Sequence, residues 1–521
     1  MARASRQEFK EISPSEFFYR NRELAGFSNP SRSLYSAVRE LVENSLDACE
    51  LNGILPSVQI SIASAEQDRL DPRLYTLTVE DNGPGIRAEQ LPSAFGKVFY
   101  GSKFVLRQSR GLFGLGGTMA ILYAQITSSQ PALIASCTDG ETGIRVKLLI
   151  DVERNQPIVV ERQAFAAGGW RGLRVTITLL GDYSRAQAKL LEYVRQTAMA
   201  APYAELRYED PFGKAYEFAR LTEVMPPPPK EILPHPHGLD VETIRRLIRR
   251  EADRPLAELL VRNLHRVGEK TARAFLAQNG FDPERRAGEL SNEEAVRLFK
   301  ALQSYEGFMR PDASCLSPLG EELLLLGVKR ELKPEFAVAC SRPPASYSGH
   351  PFIVEAAVAY GGALPPGLRL YRFANRIPLL YDEMSDVSWK VLNEGVNWTR
   401  YRLNPEMPLA VVTHICSTKV PYKTVGKEYI ADQPELEREL TGAIRECFRK
   451  LSAYLSRKGS LEQRVKRFEL YKKYLPLLAE FSRGLARRPR APSYRALLER
   501  LYREGGLAEQ HGGGNEEDEG P

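Results

Sequence analysis

Between Ser31 and Cys49 the apolar positions recur at the helical period. Leu34, Val38, Leu41, Ser45 and Cys49 share one side of the predicted helix. Glu40, Glu43, Asn44 and Asp47 gather within about 100° of one another on the other side. From Leu74 to Glu80 the pattern changes to strict alternation with β-formers, which predicts a strand. That strand runs into Asp81-Asn82-Gly83-Pro84-Gly85-Ile86. A third segment, Gly111-Leu112-Phe113-Gly114-Leu115-Gly116-Gly117-Thr118, leads into the apolar helical run Met119–Tyr123.

Helical and strand patterns alternate upstream of Met225, as in a layered α/β domain. The run Met225-Pro226-Pro227-Pro228-Pro229, followed by Pro234-His235-Pro236-His237-Gly238, cannot continue a helix or a central strand. It predicts a stiff linker. From Val241 to about Leu302 the pattern is helical, with Ile244, Leu247 and Ile248 on one face and Arg245, Arg246, Arg249 and Arg250 on the other. A third region starts near Pro311. It has predicted strands at Phe352–Tyr360 and Leu409–Cys416 and a predicted helix at Glu435–Leu455. No internal repeat is visible.

A chain of 521 residues, 43% hydrophobic and 26% charged, suits a soluble protein of about three domains. The net charge of +6 is too small to argue a nucleic-acid partner by itself. Local basic runs are more telling: Arg457 to Arg503 holds 14 Lys/Arg against 4 Asp/Glu. That run and Arg245–Arg250 read equally as DNA-phosphate contacts or as solvated helix faces. The end, Gly512 to Glu519, is low-complexity and acidic, the composition of a disordered tail. Six scattered cysteines without a Cys-x-x-Cys pair point to reduced core thiols and a cytosolic setting. No signal-like or membrane-length apolar stretch is present. His235 and His237 alternate with prolines and have no metal-ligand spacing.

The acidic helix face reads either as a solvated face or as a Mg²⁺-nucleotide site. In the second case an Asn oxygen would ligand the hard cation and a carboxylate would activate water. The Asp81 turn is either a tight connection or a carboxylate aimed at an adenine amino group, with glycines clearing space for a flat ring. Glycines before a helix N-terminus can let backbone N–H groups approach an anion. No Gly-Lys-Ser/Thr closes that loop, so it is not a Walker motif.

In this order the three segments resemble the GHKL ATPases (gyrase, Hsp90, histidine kinases, MutL). The resemblance implies that Asn44 coordinates Mg²⁺, that Asp81 reads adenine, and that Gly111–Thr118 wraps the phosphates. Glu40, four residues before the Asn, takes the place of the family's general base. Further segments resemble the B subunits of type IIB DNA topoisomerases (topoisomerase VI): Ser13–Phe18, Glu23–Pro30, Ala94–Phe104, Phe373–Tyr381 and Thr418–Glu428. They span about residues 10 to 470. Two departures stand out: Glu43 where relatives often carry Asp, and Leu112-Phe113 in the lid.

The family implies an α+β multidomain chain. A GHKL (Bergerat) ATPase α/β sandwich with an N-terminal strap occupies 1–225. A proline linker and helix-two-turn-helix domain occupy 226–310, and an α/β transducer 311–475. A basic extension and acidic tail occupy 476–521. It also implies that Lys427 is a switch lysine reaching the γ-phosphate, and that Gly85, Ser102 and Lys103 join the ATP site. The expected activity is that of the ATP-hydrolysing component of a topoisomerase. ATP and Mg²⁺ would drive its dimerisation into a clamp that captures duplex DNA. The clamp would signal the DNA-cleaving topoisomerase VI A subunit, its partner in an A₂B₂ heterotetramer. The outcome would be relaxation and decatenation, at the nucleoid in the cytoplasm. A MutL- or Hsp90-like clamp lacks the helical insert. A histidine kinase needs a phosphoacceptor before the ATP domain, and no His precedes His235. A dead scaffold would not keep Glu40, Asn44, Asp81 and Lys427.

Overall fold

The computed structural model describes residues 11–66, 70–101, 105–111, 114–424 and 426–504. Ser102, Lys103, Leu112 and Phe113, four of the expected nucleotide contacts, lie outside the described residues, as does the acidic tail. The chain divides into two compact units. One comprises 1–398 with 404–447, and the other 399–403 with the chain from 448 on.

The first unit holds two sheets. Strands β1 (Ser57–Ser64), β2 (Arg73–Asp81), β3 (Ala132–Cys137), β4 (Thr142–Asp151), β5 (Gln156–Ala166), β6 (Gly172–Gly181), β7 (Glu205–Glu209) and β8 (Ala215–Phe218) form one sheet in the order β5-β4-β3-β6-β2-β1-β7-β8. Only β1 and β7 run parallel among its pairs. In β2, Tyr75, Leu77 and Val79 are buried, and the residues between them are less so. This alternation lays one face of the strand on the helices.

Those helices are Pro30–Leu51, Gly116–Ser128 and Tyr183–Ala200. The first starts cleanly: Asn29 caps it by accepting from the Arg32 amide at 2.9 Å, and Pro30 occupies the first turn, where no N–H is needed. It is buried nearly all round. Leu34, Val38 and Leu41 enter the core as the periodicity predicts, yet Glu43, Asp47 and Glu50 are buried too. The solvated-face reading of its acids therefore fails.

The second sheet contains β9 (Phe336–Ser341), β10 (Ala345–Tyr347), β11 (His350–Tyr360), β12 (Leu368–Ala374), β13 (Ile377–Pro378) and β14 (Leu409–Ser417). Its order is β10-β11-β14-β12-β13, with β9 also on β11. Strand β14 lies between two neighbours and is buried throughout, its polar Thr413, His414 and Ser417 included. The helix Gly320–Leu332 and apolar residues of this sheet, such as Phe373 and Val412, join the core of the first sheet.

Between Val241 and Ser304 the described elements are helical, around a separate core that includes Ile244, Leu260, Phe275 and Leu298. Pro226–Pro229 has no regular structure, and Pro236–Gly238 forms a short 3-10 helix. His235 and His237 instead face backbone carbonyls, Met309 at 2.9 Å and Tyr305 at 3.0 Å.

The helix expected at Glu435–Leu455 is much longer, Pro434–Leu485, and carries Pro476 within it. Its apolar periodicity weakens after the buried Leu451. Helix-forming side chains continue, so propensity extends the helix past the point where burial stops guiding it. In the second unit Leu477, Leu478 and Phe481 are exposed. Among the described residues no helix is long and apolar enough to cross a membrane.

Candidate active site

A cavity of about 340 Å³ opens beside the helix Pro30–Leu51. Glu40, Asn44, Asp81, Gly85, Gly111, Gly114, Leu115, Gly116, Gly117, Thr118 and Lys427 all line it. The described residues of the expected site thus converge on one space, although they span almost 400 positions of the chain.

Each segment arrives for a local reason. Asp81 ends β2, where the ladder to β6 closes opposite Leu173. Its Oδ1 accepts from the amides of Gly83 at 2.9 Å and Leu173 at 3.2 Å. Its Oδ2 is buried without a hydrogen-bond partner. An orphaned carboxylate oxygen at a cavity wall fits a ligand donor such as an exocyclic amine, because a buried acceptor left unpaired is costly. Burial raises the Asp81 pKa, against the Ser45 hydroxyl and the two amides, which favour the charged form. Gly85 has φ +70°, and a Cβ there would collide with the Cys137 carbonyl.

The helix Gly116–Ser128 starts at the cavity and has no side-chain cap. Its first amides are therefore not satisfied by a capping side chain, and its dipole favours an anion. A Cβ on Gly116 would fall on the Glu40 carboxylate, and one on Gly117 would lie 3.2 Å from Asn44 Nδ2. These two glycines bring the loop backbone against the acid and the amide.

Lys427 comes from the loop after β14 and adopts a left-handed φ of +53°, uncommon outside glycine. Its ammonium lies 2.8 Å from Glu43 Oε2 and 3.7 Å from Glu40 Oε1. Burial lowers the Lys427 pKa, but the two carboxylates outweigh it and hold the ammonium above its ordinary range. Burial pushes Glu43 upward, opposed chiefly by Lys427. The loop is docked on both sides of the lysine: Arg39 Nη1 donates to the Gly426 carbonyl at 2.9 Å, and Arg32 pairs with Glu428. Arg39 also meets Glu40 at 2.7 Å.

Arg39, Glu50, Arg110 and Arg376 are buried charged residues that no sequence motif marks individually. Arginines are common on surfaces, and nothing in their spacing marks them as buried. One signal was available for Arg376: an arginine following Asn in a two-residue hairpin turn.

Known families match both sheet-bearing parts of the chain. Residues 29–152 match the Histidine kinase-, DNA gyrase B-, and HSP90-like ATPase family, so this part of the chain has a GHKL ATPase fold. Residues 311–467 match the Topoisomerase VI B subunit transducer. The chain is 44% identical over 482 residues to the type 2 DNA topoisomerase 6 B subunit of Metallosphaera sedula, covering 91% of this chain and 90% of that one. It is equally identical over 488 residues to the Sulfurisphaera tokodaii protein of the same name, covering 92% and 91%. The chain belongs to the type 2 DNA topoisomerase 6 B-subunit family, and it is a component of an ATP-dependent topoisomerase. Among solved structures, the ATPase region of Saccharomyces cerevisiae topoisomerase II aligns loosely, at TM-score 0.40 and 10% identity over 82% of this chain and 90% of that one.

Proposed function

We propose that the cavity binds ATP with Mg²⁺ and that nucleotide binding closes a dimeric DNA clamp. Asp81 would accept from the adenine amine through its unpaired Oδ2. Gly111, Leu112, Phe113, Gly114, Leu115, Gly116, Gly117 and Thr118 would wrap the phosphates as a lid, and Ser102 and Lys103 would join the ATP site. Asn44 would hold Mg²⁺, which when bound neutralises phosphate charge. Glu40 would orient and deprotonate the attacking water. Lys427 would favour the state in which a γ-phosphate is present.

The observation that carries this reading is the meeting of Lys427 with Glu40 and Asn44 at one cavity wall. A cation delivered from the second sheet can report phosphate occupancy to that sheet, because it is the same side chain in both environments. The chain would comprise an ATPase with strap to residue 225, a linker and helix-two-turn-helix domain to 310, a transducer to 475, then the basic extension and acidic tail.

The full machine would be an A₂B₂ heterotetramer at the nucleoid. Two copies of this chain would dimerise on ATP, trap a duplex and signal the two A subunits, which would cleave DNA for relaxation and decatenation. Light scattering of the full chain should show a mass near one chain without nucleotide and near two with a non-hydrolysable ATP analogue. Co-expression with the cleaving partner should yield a complex that relaxes supercoils only with ATP. An unchanged mass, or relaxation indifferent to ATP, rejects the proposal.

A further inference from the structure

Glu50, in the last turn of the helix Pro30–Leu51, serves two arginines from distant segments. Arg110 Nη1 reaches its Oε2 and Arg110 Nη2 its Oε1, both at 2.7 Å. Arg376 Nη1 reaches Oε2 at 2.7 Å. The Tyr203 hydroxyl donates to Oε1 at 2.7 Å and accepts from Arg376 Nη1 at 3.1 Å. Asp47 adds a second acid to Arg110 at 3.2 Å. All five residues are more than nine-tenths buried. Their charges balance, and removing one partner would strand the others out of water.

The two arginines stand at informative places. Arg110 immediately precedes Gly111, the first residue of the glycine loop. Arg376 belongs to the second sheet, in the two-residue turn joining β12 to β13, where Ala374 pairs with Ile377. Both turn residues are left-handed, Asn375 at φ +47° and Arg376 at +67°. Such turns favour glycine at the second position, so an arginine there is strained. The strain persists because the side chains on both positions are engaged. Asn375 donates to the carbonyls of Ser109 and Ser417, each at 3.0 Å. Arg376 Nη2 donates to the Ser317 carbonyl at 2.6 Å.

Two residues before Arg110, Gln108 exchanges two hydrogen bonds with the Ser317 backbone, at 3.1 and 2.7 Å. Three successive residues, Gln108-Ser109-Arg110, are therefore each tied to the second-sheet region just before the loop begins. The buried His414 extends this network. Its Nδ1 meets Glu355 at 2.7 Å, and its Nε2 accepts from the Arg376 amide at 3.0 Å.

We propose that Arg376 is a positioning residue for the phosphate loop. Through Glu50 and Arg110 it fixes the upstream end of that loop to the second sheet and couples the two independently of Lys427. The inference rests on the cavity being the nucleotide site. A nucleotide contact at Gly111 would be felt at Arg110, and the shared Glu50 carboxylate would pass it to the strained turn. A closely packed charge cluster favours a few discrete arrangements over gradual deformation.

The test uses the full chain as wild type, Arg376→Lys and Tyr203→Phe. Lysine keeps the charge but cannot bridge Glu50 and Ser317 as a planar fork does. Phenylalanine leaves every charge paired. ATP hydrolysis gives kcat and KM, and hydrogen exchange follows segments 105–111 and 368–378 with and without a non-hydrolysable ATP analogue. In wild type the analogue should slow exchange in both segments. In Arg376→Lys, kcat should fall about tenfold with KM within about twofold, and the response at 368–378 should vanish. Tyr203→Phe should lower kcat by about threefold and weaken the same response.

A lower melting temperature with unchanged kcat and unchanged exchange responses would overturn the proposal and leave the cluster as structural support. If Arg376→Lys does not fold, Tyr203→Phe decides by the same readouts. A wild-type chain that does not bind the analogue sinks the site reading itself. A wild type that binds and hydrolyses normally while both variants match it sinks this inference alone.

Discussion

Lys427 Nζ lies 2.8 Å from Glu43 Oε2, an ion pair between residues 384 positions apart, with side chains 5% and 2% exposed. In this arrangement the ammonium is already neutralised, so under the proposed function a γ-phosphate would have to compete with Glu43 for it. The glutamate is then a resting partner for the lysine as well as a member of the acidic cluster.

Removing the lysine should therefore have two separable effects. Lys427→Ala leaves Glu43 only Arg39, whose Nε lies 3.5 Å from its Oε1, and should lower stability by up to about 3–5 kcal/mol, the cost of breaking a buried pair. Hydrolysis should fall while ADP affinity stays nearly constant. Adding Glu43→Gln should restore the melting temperature but not hydrolysis. Calorimetry and a steady-state assay on both variants check this. Equal loss of ADP and ATP binding in Lys427→Ala would leave the lysine a general phosphate contact.

Asp81→Asn replaces one carboxylate oxygen with an NH₂ group. Whichever way the amide turns, either the Gly83 and Leu173 amides or the ligand amine meets a donor. ATP and ADP affinity should both weaken by about 1–3 kcal/mol, read by isothermal titration. Unchanged affinity would make Asp81 a turn residue only.

Gly116→Ala should behave like a lesion in Glu40. The added Cβ occupies the space of the Glu40 carboxylate. Glu40→Gln should reduce hydrolysis about 10²–10⁴-fold while analogue binding survives, as expected for loss of a general base. Gly116→Ala should approach that loss without altering any ionisable group. Full activity in Gly116→Ala would mean that the loop moves away from Glu40 before reaction.

The helical core offers a test by pH. Glu294 closes a capping box with Ser291 and takes a two-pronged bond from Arg285, at 2.7 and 3.0 Å. The Arg285 bond, then the Ser291 amide, holds its pKa down to about 2. A depressed folded pKa contributes stability above the ordinary glutamate range, and that contribution is lost as pH falls toward about 2. Amide protection in Asn292–Ser304 should fall between about pH 5 and about pH 2 in wild type and change less in Glu294→Gln. Parallel pH profiles for the two would show that the cap does not govern this helix.

Much of this protein is readable from local sequence, because local rules write it. The period of Leu34, Val38 and Leu41, the Asn29-Pro30 start and the alternation of Leu74–Val79 depend on neighbours a few residues away. The nucleotide segments are readable for a similar reason: a loop that must lie against Glu40 and Asn44 needs Gly116 and Gly117, and side-chain volume is a sequence property. Which acids are buried is not local. Glu43 and Asp47 look like members of one solvated face until Lys427 and Arg110 arrive from elsewhere in the chain to pair them. Charge pairing across almost 400 positions has no period and no spacing. Only the packing of the second sheet against the first decides it, because a buried carboxylate is tolerable only where the fold delivers a cation.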